Sequence, residues 1–134
     1  MAAAKPRVLV VEDDQESYNA LSKILKHVGY DTLGAPTLAE GIALLDQAPR
    51  FAVLDLILPD GNGKDLLKHI REHNLPIKVA IITGTADKAM LDETRVHKPD
   101  ALFLKPLNVP RILAWLRQGG EGPNDLETIG RDSG

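Results

Sequence analysis

The chain of 134 residues contains no cysteine, which excludes disulfide bonds, thiolate catalysis and cysteine-ligated zinc. No apolar run approaches the length of a membrane-spanning helix, and residues 1–6 lack the apolar core of a signal peptide. The net charge is only −3, so bulk charge does not favour a nucleic acid or an anionic membrane as a partner. These absences predict an intracellular, cytoplasmic protein that binds neither nucleic acid nor membrane directly.

Hydrophobic residues make up 43% of the chain and charged residues 26%, which fits one globular domain with a single core. Five short apolar segments predict strands, several of them apolar enough to be buried on both faces. They cover residues 7–11, 30–35, 51–56, 78–83 and 101–104.

Helix signals fill the gaps between these strands. Thr37 with Glu40 forms a capping box, and Asn108 with Pro110 marks the start of the last helix. Alternating strands and helices predict a flavodoxin-like, doubly wound (βα)5 fold, in which helices cover both faces of a parallel sheet with strand order 2-1-3-4-5. We predict one domain over residues 6–118. Residues 119–134 lose the periodicity and are predicted to form a flexible tail or linker.

Polar residues stand at the carboxyl ends of four predicted strands. The first strand delivers Glu12 and Asp13, the third Asp55, the fourth Thr83 and the fifth Lys105. Strands 1 and 3 are neighbours in the predicted order, so three carboxylates would crowd one another. A hard divalent cation such as Mg²⁺ would relieve that repulsion, and the hydroxyl and ammonium groups suit phosphate oxygens. The pattern indicates phosphoryl transfer to a carboxylate.

The same residues lie in four short motifs. These are VVED at 10–13, LDLILPDGNG at 54–63, IITGTA at 81–86 and LKP at 104–106. In this order, each at a strand end, they make the chain resemble the receiver domain of two-component response regulators. The resemblance covers residues 7–118, nearly the whole sequence.

The resemblance implies a role for each residue of the constellation. Asp55 would be the phosphoacceptor, and Glu12 and Asp13 would position Mg²⁺ together with Asp55 and the main-chain carbonyl of Ile57. Thr83 and Lys105 would contact the phosphoryl oxygens, and the Lys105–Pro106 peptide bond would be cis. The protein would then be a signalling switch with self-phosphorylation and slow self-dephosphorylation chemistry, not a conventional enzyme.

The resemblance also implies the partners. A sensor histidine kinase or a phosphotransfer protein would supply the phosphoryl group. A downstream effector domain or protein would read the face made by the fourth helix, fifth strand and fifth helix. The chain would be a monomer or a weak dimer linked to phosphorylation.

Three positions depart from the commonest pattern of that family. Leu102 stands where an aromatic switch residue is frequent, and Phe103 should face the other side of the strand. The side chain of Ile57 is apolar and cannot orient a water molecule, which predicts slow self-dephosphorylation. Glu12 replaces an aspartate with a longer carboxylate of the same charge, which should preserve metal binding.

The sequence offers less support for three other functions. A phosphatase with Asp13 as nucleophile should carry an acid two places later, where Gln15 stands. A dinucleotide-binding domain is disfavoured because the first strand–helix turn has no glycine. A phosphorylation-independent interaction module would not need the five polar residues.

Some polar and aromatic residues have simpler explanations than a site. HIREH at 69–73 matches an inverted zinc-peptidase motif, but a third ligand could come only from the tail. Asp14 is interpreted as a helix N-cap. Trp115 is interpreted as a partly covered packing residue.

Overall fold

The fold is a parallel five-stranded sheet between two layers of helices. The computed structural model describes residues 5–85 and 87–126. We number the strands of the sheet β1 to β5, and their spatial order is β2-β1-β3-β4-β5, as predicted. Their bounds are Arg7–Val11, Asp31–Ala35, Phe51–Asp55, Lys78–Thr83 and Ala101–Leu104.

Five α-helices, α1 to α5, connect or follow these strands. They span Gln15–His27, Leu38–Ala43, Gly63–Glu72, Lys88–Val96 and Val109–Arg117. A 3-10 turn, Leu44–Gln47, extends α2. Asp14, Thr37 and Asn108 accept hydrogen bonds from the first turns of α1, α2 and α5, as the sequence predicted. No helix within the described residues is long and apolar enough to cross a membrane.

Two apolar clusters pack on opposite faces of the sheet, as a doubly wound fold requires. One joins the sheet to α3 and α4 and contains Leu102. The other joins it to α1 and α5 and contains Phe103. The two side chains therefore face opposite ways, which confirms that Phe103 cannot take the place of an aromatic at 102.

The burial of Trp115 corrects the sequence interpretation. Its side chain is fully buried and packs edge-on against Phe51 and Phe103, with ring centroids 5.9 and 6.3 Å away. Edge-to-face contacts at these distances are favourable for aromatic pairs. Helix spacing alone does not predict this burial, because rings on other elements cover Trp115.

A glycine determines the orientation of α2. Ile42 of this helix is 36% exposed. Gly41 faces the core instead, and a side-chain carbon there would lie 3.0 Å from Val11 and 3.2 Å from Leu66. The small glycine lets α2 pack closely against the sheet, which rotates Ile42 towards solvent.

A short antiparallel ladder follows β3 and pairs Ile57–Leu58 with Gly61–Asn62. It places Asp60 at the start of α2, where the carboxylate accepts hydrogen bonds from the Leu38 and Ala39 amides at 2.7 and 3.0 Å. These bonds lower the pKa of Asp60. The negative charge also suits the positive end of a helix. The sequence analysis had not assigned this role to Asp60.

Residues 119–126 belong to the segment that is predicted to be a flexible tail or linker, and several of them contact the sheet and α5. Asp125 donates its amide to the Leu102 carbonyl at 2.7 Å, and its carboxylate pairs with Arg111 at 2.8 Å. The Leu126 side chain packs against the core cluster that contains Leu102. Asn124 and Asp125 bond to the edge of β5, and the flexibility of this segment stays a prediction. Residues 127–134, the rest of the predicted tail, lie outside the described residues.

Candidate functional site

Three carboxylates meet where β1 and β3 end. Glu12 and Asp13 follow β1 directly, and Asp55 is the last residue of β3. Leu54 pairs with Val11 in the parallel register, which brings the residues after both strands to one edge of the sheet. One oxygen of each carboxylate lies within 4.8 Å of one oxygen of the others. The predicted convergence is therefore present.

Lys105 reaches this cluster from the end of β5. Its ammonium lies 2.7 Å from Asp55 Oδ2 and 3.6 Å from Glu12 Oε1. The Asp55 side chain is only 5% exposed, so this ion pair lies in a region where water screens charge poorly. Three negative groups and one positive group leave the cluster with an excess of negative charge.

The electrostatics of Glu12 reflect that excess. Burial, followed by the nearby Asp55 carboxylate, raises the pKa of Glu12 to about 7 despite the opposing Lys105 charge. Glu12 Oε1 is buried and has no hydrogen-bond partner. Burial alone would lower the pKa of Lys105, but its contacts with Asp55 and Glu12 outweigh this effect and raise it. Lys105 therefore stays protonated at neutral pH.

Asp55 opens onto a surface cleft. Its other oxygen, Oδ1, accepts a hydrogen bond from the Ile57 amide at 3.1 Å. The Ile57 side chain is 55% exposed and forms part of the cleft wall beside the carboxylate. The cleft is lined by Asp13, Asp55, Ile57, Gly84, Thr85 and Lys105. A reagent can therefore approach Asp55 from solvent, past an apolar side chain.

Thr83 is the last residue of β4, and its hydroxyl bonds within the loop that follows rather than to the carboxylates. It is fully buried, and its hydroxyl oxygen accepts a hydrogen bond from the Thr85 amide at 3.0 Å. Its carbonyl accepts the Lys105 amide at 2.8 Å, which ties the ends of β4 and β5 together. In this conformation the Thr83 hydroxyl stabilises the loop that follows β4.

Gly63 supports the site in a way that the sequence analysis did not identify. A side-chain carbon at this position would lie 2.1 Å from the Asp55 carbonyl oxygen, a distance that no substituted residue can accept. Its amide donates to the Leu56 carbonyl at 2.8 Å. The only sequence signal was the glycine-rich PDGNG turn. The Lys105–Pro106 bond is cis, as the resemblance implied.

The donor set fits a hard divalent cation. Carboxylate oxygens are the ligands that Mg²⁺ prefers, and the unpartnered, buried Glu12 Oε1 lacks a positive neighbour at hydrogen-bonding distance. Glu12, Asp13 and Asp55 form the only cluster of three such metal-ligand side chains among residues 5–85 and 87–126. A cation there would offset the excess negative charge.

The zinc interpretation of HIREH gains no support. The rings of His69 and His73 stack with centroids 4.1 Å apart, and His73 Nδ1 lies 2.9 Å from the His69 carbonyl oxygen. A structural zinc site needs four ligands and a catalytic site three. Within the described part of the chain, these histidines belong to no cluster of three metal-ligand residues.

Comparison with known proteins identifies the family. The family model described as "Response regulator receiver domain" matches residues 8–117. The chain belongs to this family. It is therefore a signalling switch of two-component systems, and the resemblance inferred from the four motifs is confirmed.

Curated relatives and solved structures agree with that assignment. The chain is 31% identical over 118 residues to the photosynthetic apparatus regulatory protein RegA of Rhodovulum sulfidophilum, covering 87% of this chain and 64% of RegA. It is 30% identical to the transcriptional regulatory protein CpxR of Klebsiella pneumoniae, covering 83% of this chain and 47% of CpxR. The chain thus spans about half to two thirds of these relatives.

A crystal structure of a CheY-like response regulator receiver domain from Methanospirillum hungatei superposes with a TM-score of 0.79 at 25% identity. The superposition covers 96% of this chain and 98% of that one. It confirms the flavodoxin-like fold with a five-stranded sheet.

Proposed function

We propose that Asp55 accepts a phosphoryl group from a phosphohistidine of a sensor histidine kinase or of a phosphotransfer protein. The observation that carries this proposal is the juxtaposition of a buried, cleft-facing Asp55 with the Lys105 ammonium at 2.7 Å. A carboxylate can act as a nucleophile when a neighbouring group orients it, and the Lys105 ammonium contacts Asp55 Oδ2.

The reaction is an in-line displacement at phosphorus. An Asp55 oxygen forms the new O–P bond while the N–P bond to histidine breaks, and the leaving imidazole keeps the electron pair of that bond. During the transfer, the Lys105 ammonium contacts a phosphoryl oxygen and offsets the negative charge of the phosphoryl group. Positioning and charge stabilisation supply most of the rate, because the protein has little covalent work to do.

Glu12, Asp13, Asp55 and the main-chain carbonyl of Ile57 are the proposed ligands of Mg²⁺. When bound, this cation would stabilise negative charge on the phosphoryl oxygens. Support for this assignment comes from the 4.8 Å carboxylate cluster and from the unpartnered Glu12 oxygen.

Phosphorylation would change the partner of the Thr83 hydroxyl. The added oxygens are strong acceptors, and the hydroxyl would turn from the Thr85 amide to donate to one of them. This exchange would draw in the loop of Gly84 and Thr85 and bias the face made by α4, β5 and α5, where a downstream effector would bind. Leu102 is fully buried, so the switch would work without an aromatic at that position.

The phosphorylated state should decay slowly. Hydrolysis needs a water molecule oriented towards phosphorus, and Ile57 presents an apolar side chain beside Asp55. Ile57→Asn should shorten the lifetime of phospho-Asp55 because an amide at this place can hold the attacking water. A lifetime of only seconds in the unmodified protein would contradict the proposal.

Residues 6–118 would form the receiver unit. This unit would act in the cytoplasm alongside its kinase. It would be a monomer or a weak dimer linked to phosphorylation. Sedimentation with and without beryllofluoride, an acyl phosphate mimic, measures that linkage.

Intact-protein mass spectrometry tests the central proposal. Incubation with acetyl phosphate and Mg²⁺ should add about 80 Da, the mass of one phosphoryl group. Asp55→Asn and EDTA should each prevent the addition. Asp46→Asn is the matched control, because Asp46 is exposed and lies outside the cluster.

Peptide mapping separates this proposal from its alternatives. A phosphoryl group on Asp55 supports the receiver mechanism, whereas one on Asp13 would indicate a phosphatase-like nucleophile. A protein that stays unmodified with Mg²⁺ and acetyl phosphate would favour a phosphorylation-independent interaction module.

A further inference from the structure

The outer edge of β5 is covered by the chain's own residues 120–126. The strand is the last of the sheet, so one side of its backbone has no neighbouring strand. Lys105 directs its amide inward to Thr83. Since amides alternate along a strand, those of Leu102 and Leu104 point outward. Unpaired amides on an edge strand offer a binding site for another segment.

Two adjacent side chains of the segment bond to these outward amides. Asp125 Oδ2 accepts a hydrogen bond from the Leu104 amide at 3.0 Å, and Asn124 Oδ1 accepts one from the Leu102 amide at 3.3 Å. The Asp125 amide donates to the Leu102 carbonyl at 2.7 Å. The segment thereby satisfies three consecutive polar groups of the edge, two through side chains and one through a backbone amide.

Arginines from both flanking helices hold the same segment. Arg111 of α5 donates to Asp125 Oδ1 at 2.8 Å, so this carboxylate bridges a helix and the strand. Arg95 of α4 donates to the Leu126 carbonyl at 2.5 Å. Contacts to α4, β5 and α5 together define an extended binding face rather than a local turn.

Close packing and an internal turn fix the shape of the segment. Asn124 Oδ1 also accepts the Leu126 amide at 2.8 Å, which forms a side-chain turn. A side-chain carbon at Gly122 would lie 2.9 Å from Trp115 Cα and 3.3 Å from the Ala114 carbonyl oxygen. Glycine at this position therefore lets the segment approach α5.

We propose that residues 120–126 of this chain occupy the α4–β5–α5 face as an intramolecular ligand, and that they bind it through a turn with the sequence Asn-Asp-Leu. A partner that docks on this face must displace them first. The docking itself does not depend on phosphorylation. Its consequence for signalling rests on the proposed function, which assigns output to the same face.

Backbone hydrogen–deuterium exchange, followed by NMR on the unphosphorylated full chain, tests the proposal. Asp125→Ala removes the partner of the Leu104 amide and of Arg111. Gly122→Val keeps every hydrogen-bonding side chain but forces the segment away from Trp115. In both variants the Leu104 amide should exchange about tenfold faster or more, and the Leu102 amide should follow.

Internal and external controls separate release of the segment from unfolding. The Lys105 amide, bonded to Thr83, should keep its protection in both variants, and Asp46→Asn should leave all three amides unchanged. Equal exchange of the Leu104 amide in the wild type and both variants would overturn the proposal. Loss of protection at Lys105 together with Leu104 would overturn it as well, since the segment would then be part of the core fold.

Phosphorylation of the same samples distinguishes the two proposals. An adduct on Asp55 with unprotected Leu102 and Leu104 amides in the wild type would refute the docking alone. Protected amides without an adduct would refute the phosphoacceptor function alone.

Discussion

Carboxylates at the two ends of the parallel strands differ in how their charge is balanced. We call the end where the strands begin the amino edge and the end where they finish the carboxyl edge. At the amino edge, Asp100 accepts a hydrogen bond from the Val79 amide at 2.7 Å and pairs with Arg71 at 2.8 Å and Lys78 at 3.7 Å. One acid there has two cations. At the carboxyl edge, three acids share Lys105.

This difference separates a structural carboxylate from a functional cluster. Asp100 completes its own site, because its partners already balance its charge and fill its acceptor positions. The carboxyl edge retains negative charge and a buried Glu12 oxygen without a hydrogen-bond partner. This arrangement is unfavourable in the protein alone, and binding of a cation would stabilise it. Changes at the amino edge should therefore affect stability, whereas changes at the carboxyl edge should chiefly affect chemistry and should affect stability only through the ionisation of Glu12.

The largest expected effect is on phosphorylation. Asp13→Asn should lower the rate of modification by acetyl phosphate and Mg²⁺ by about 100-fold, because it removes a charged ligand of the cation. The rate of adduct formation, measured by mass spectrometry over time, reports the loss. Asp100→Asn makes the same chemical change at the amino edge and should leave the rate unaltered. Equal losses in the two variants would erase the distinction between the edges.

A smaller effect, on stability, should appear at the amino edge. Asp100→Ala should lower the free energy of unfolding by about 2–3 kcal/mol, because the Val79 amide and Arg71 both lose their partner. Urea denaturation without metal measures this change. Asp13→Ala should cost almost nothing under the same conditions, since Asp13 is exposed and relieves repulsion when removed. A larger loss for Asp13→Ala would contradict our assignment.

The pH dependence of stability should follow Glu12. Its pKa in the folded state, about 7, lies above its ordinary value of 4.5, so the folded state binds the proton more tightly than the unfolded state. The resulting stability is fully present below pH 4.5 and is lost as pH rises through about 7. The fall in unfolding free energy should be at most about 3 kcal/mol without metal.

Two comparisons sharpen this measurement of pH dependence. Glu12→Gln should flatten the profile because it removes the titrating group. Excess Mg²⁺ should oppose the fall, because cation binding favours the ionised carboxylates. A profile for Glu12→Gln as steep as that of the wild type would assign the effect to another group.

The smallest effect should come from the exposed lysine of the amino edge. Lys78→Met should change the free energy of unfolding by less than about 0.5 kcal/mol, because Lys78 is 44% exposed and its ion pair with Asp100 is long. Lys105→Met is the matched change at the carboxyl edge. It should slow phosphorylation, whereas Lys78→Met should not, and the two measurements together compare the lysines directly.

The sequence predicted the fold and the cluster well because both depend on local patterns. Apolar runs and helix caps located the strands and helices. The carboxyl ends of parallel strands meet at one edge, so Asp55, Glu12, Asp13 and Lys105 had to converge once the strand order was assigned. The coordination of Mg²⁺ stays a prediction, as do the roles of Asp55, Lys105, Thr83 and Ile57 in phosphoryl transfer.

Other features could not be predicted because they depend on contacts between distant residues. The burial of Trp115 depends on Phe51 and Phe103, which lie on other elements. The close approach of Gly63 to the Asp55 carbonyl depends on how the turn after β3 folds back. Residues 119–126 look flexible by composition, yet they bond to a strand edge that no local pattern could identify as their partner.

The sequence by itself determined the doubly wound architecture and the kinds of side chain at each strand end, because these follow from periodicity and position within a strand. Only the tertiary structure decided the charge balance at each edge of the sheet and which residues bond to the outer side of β5. Both are set by distances between residues far apart in the chain, since Coulomb energies and hydrogen bonds depend on separations of a few ångströms.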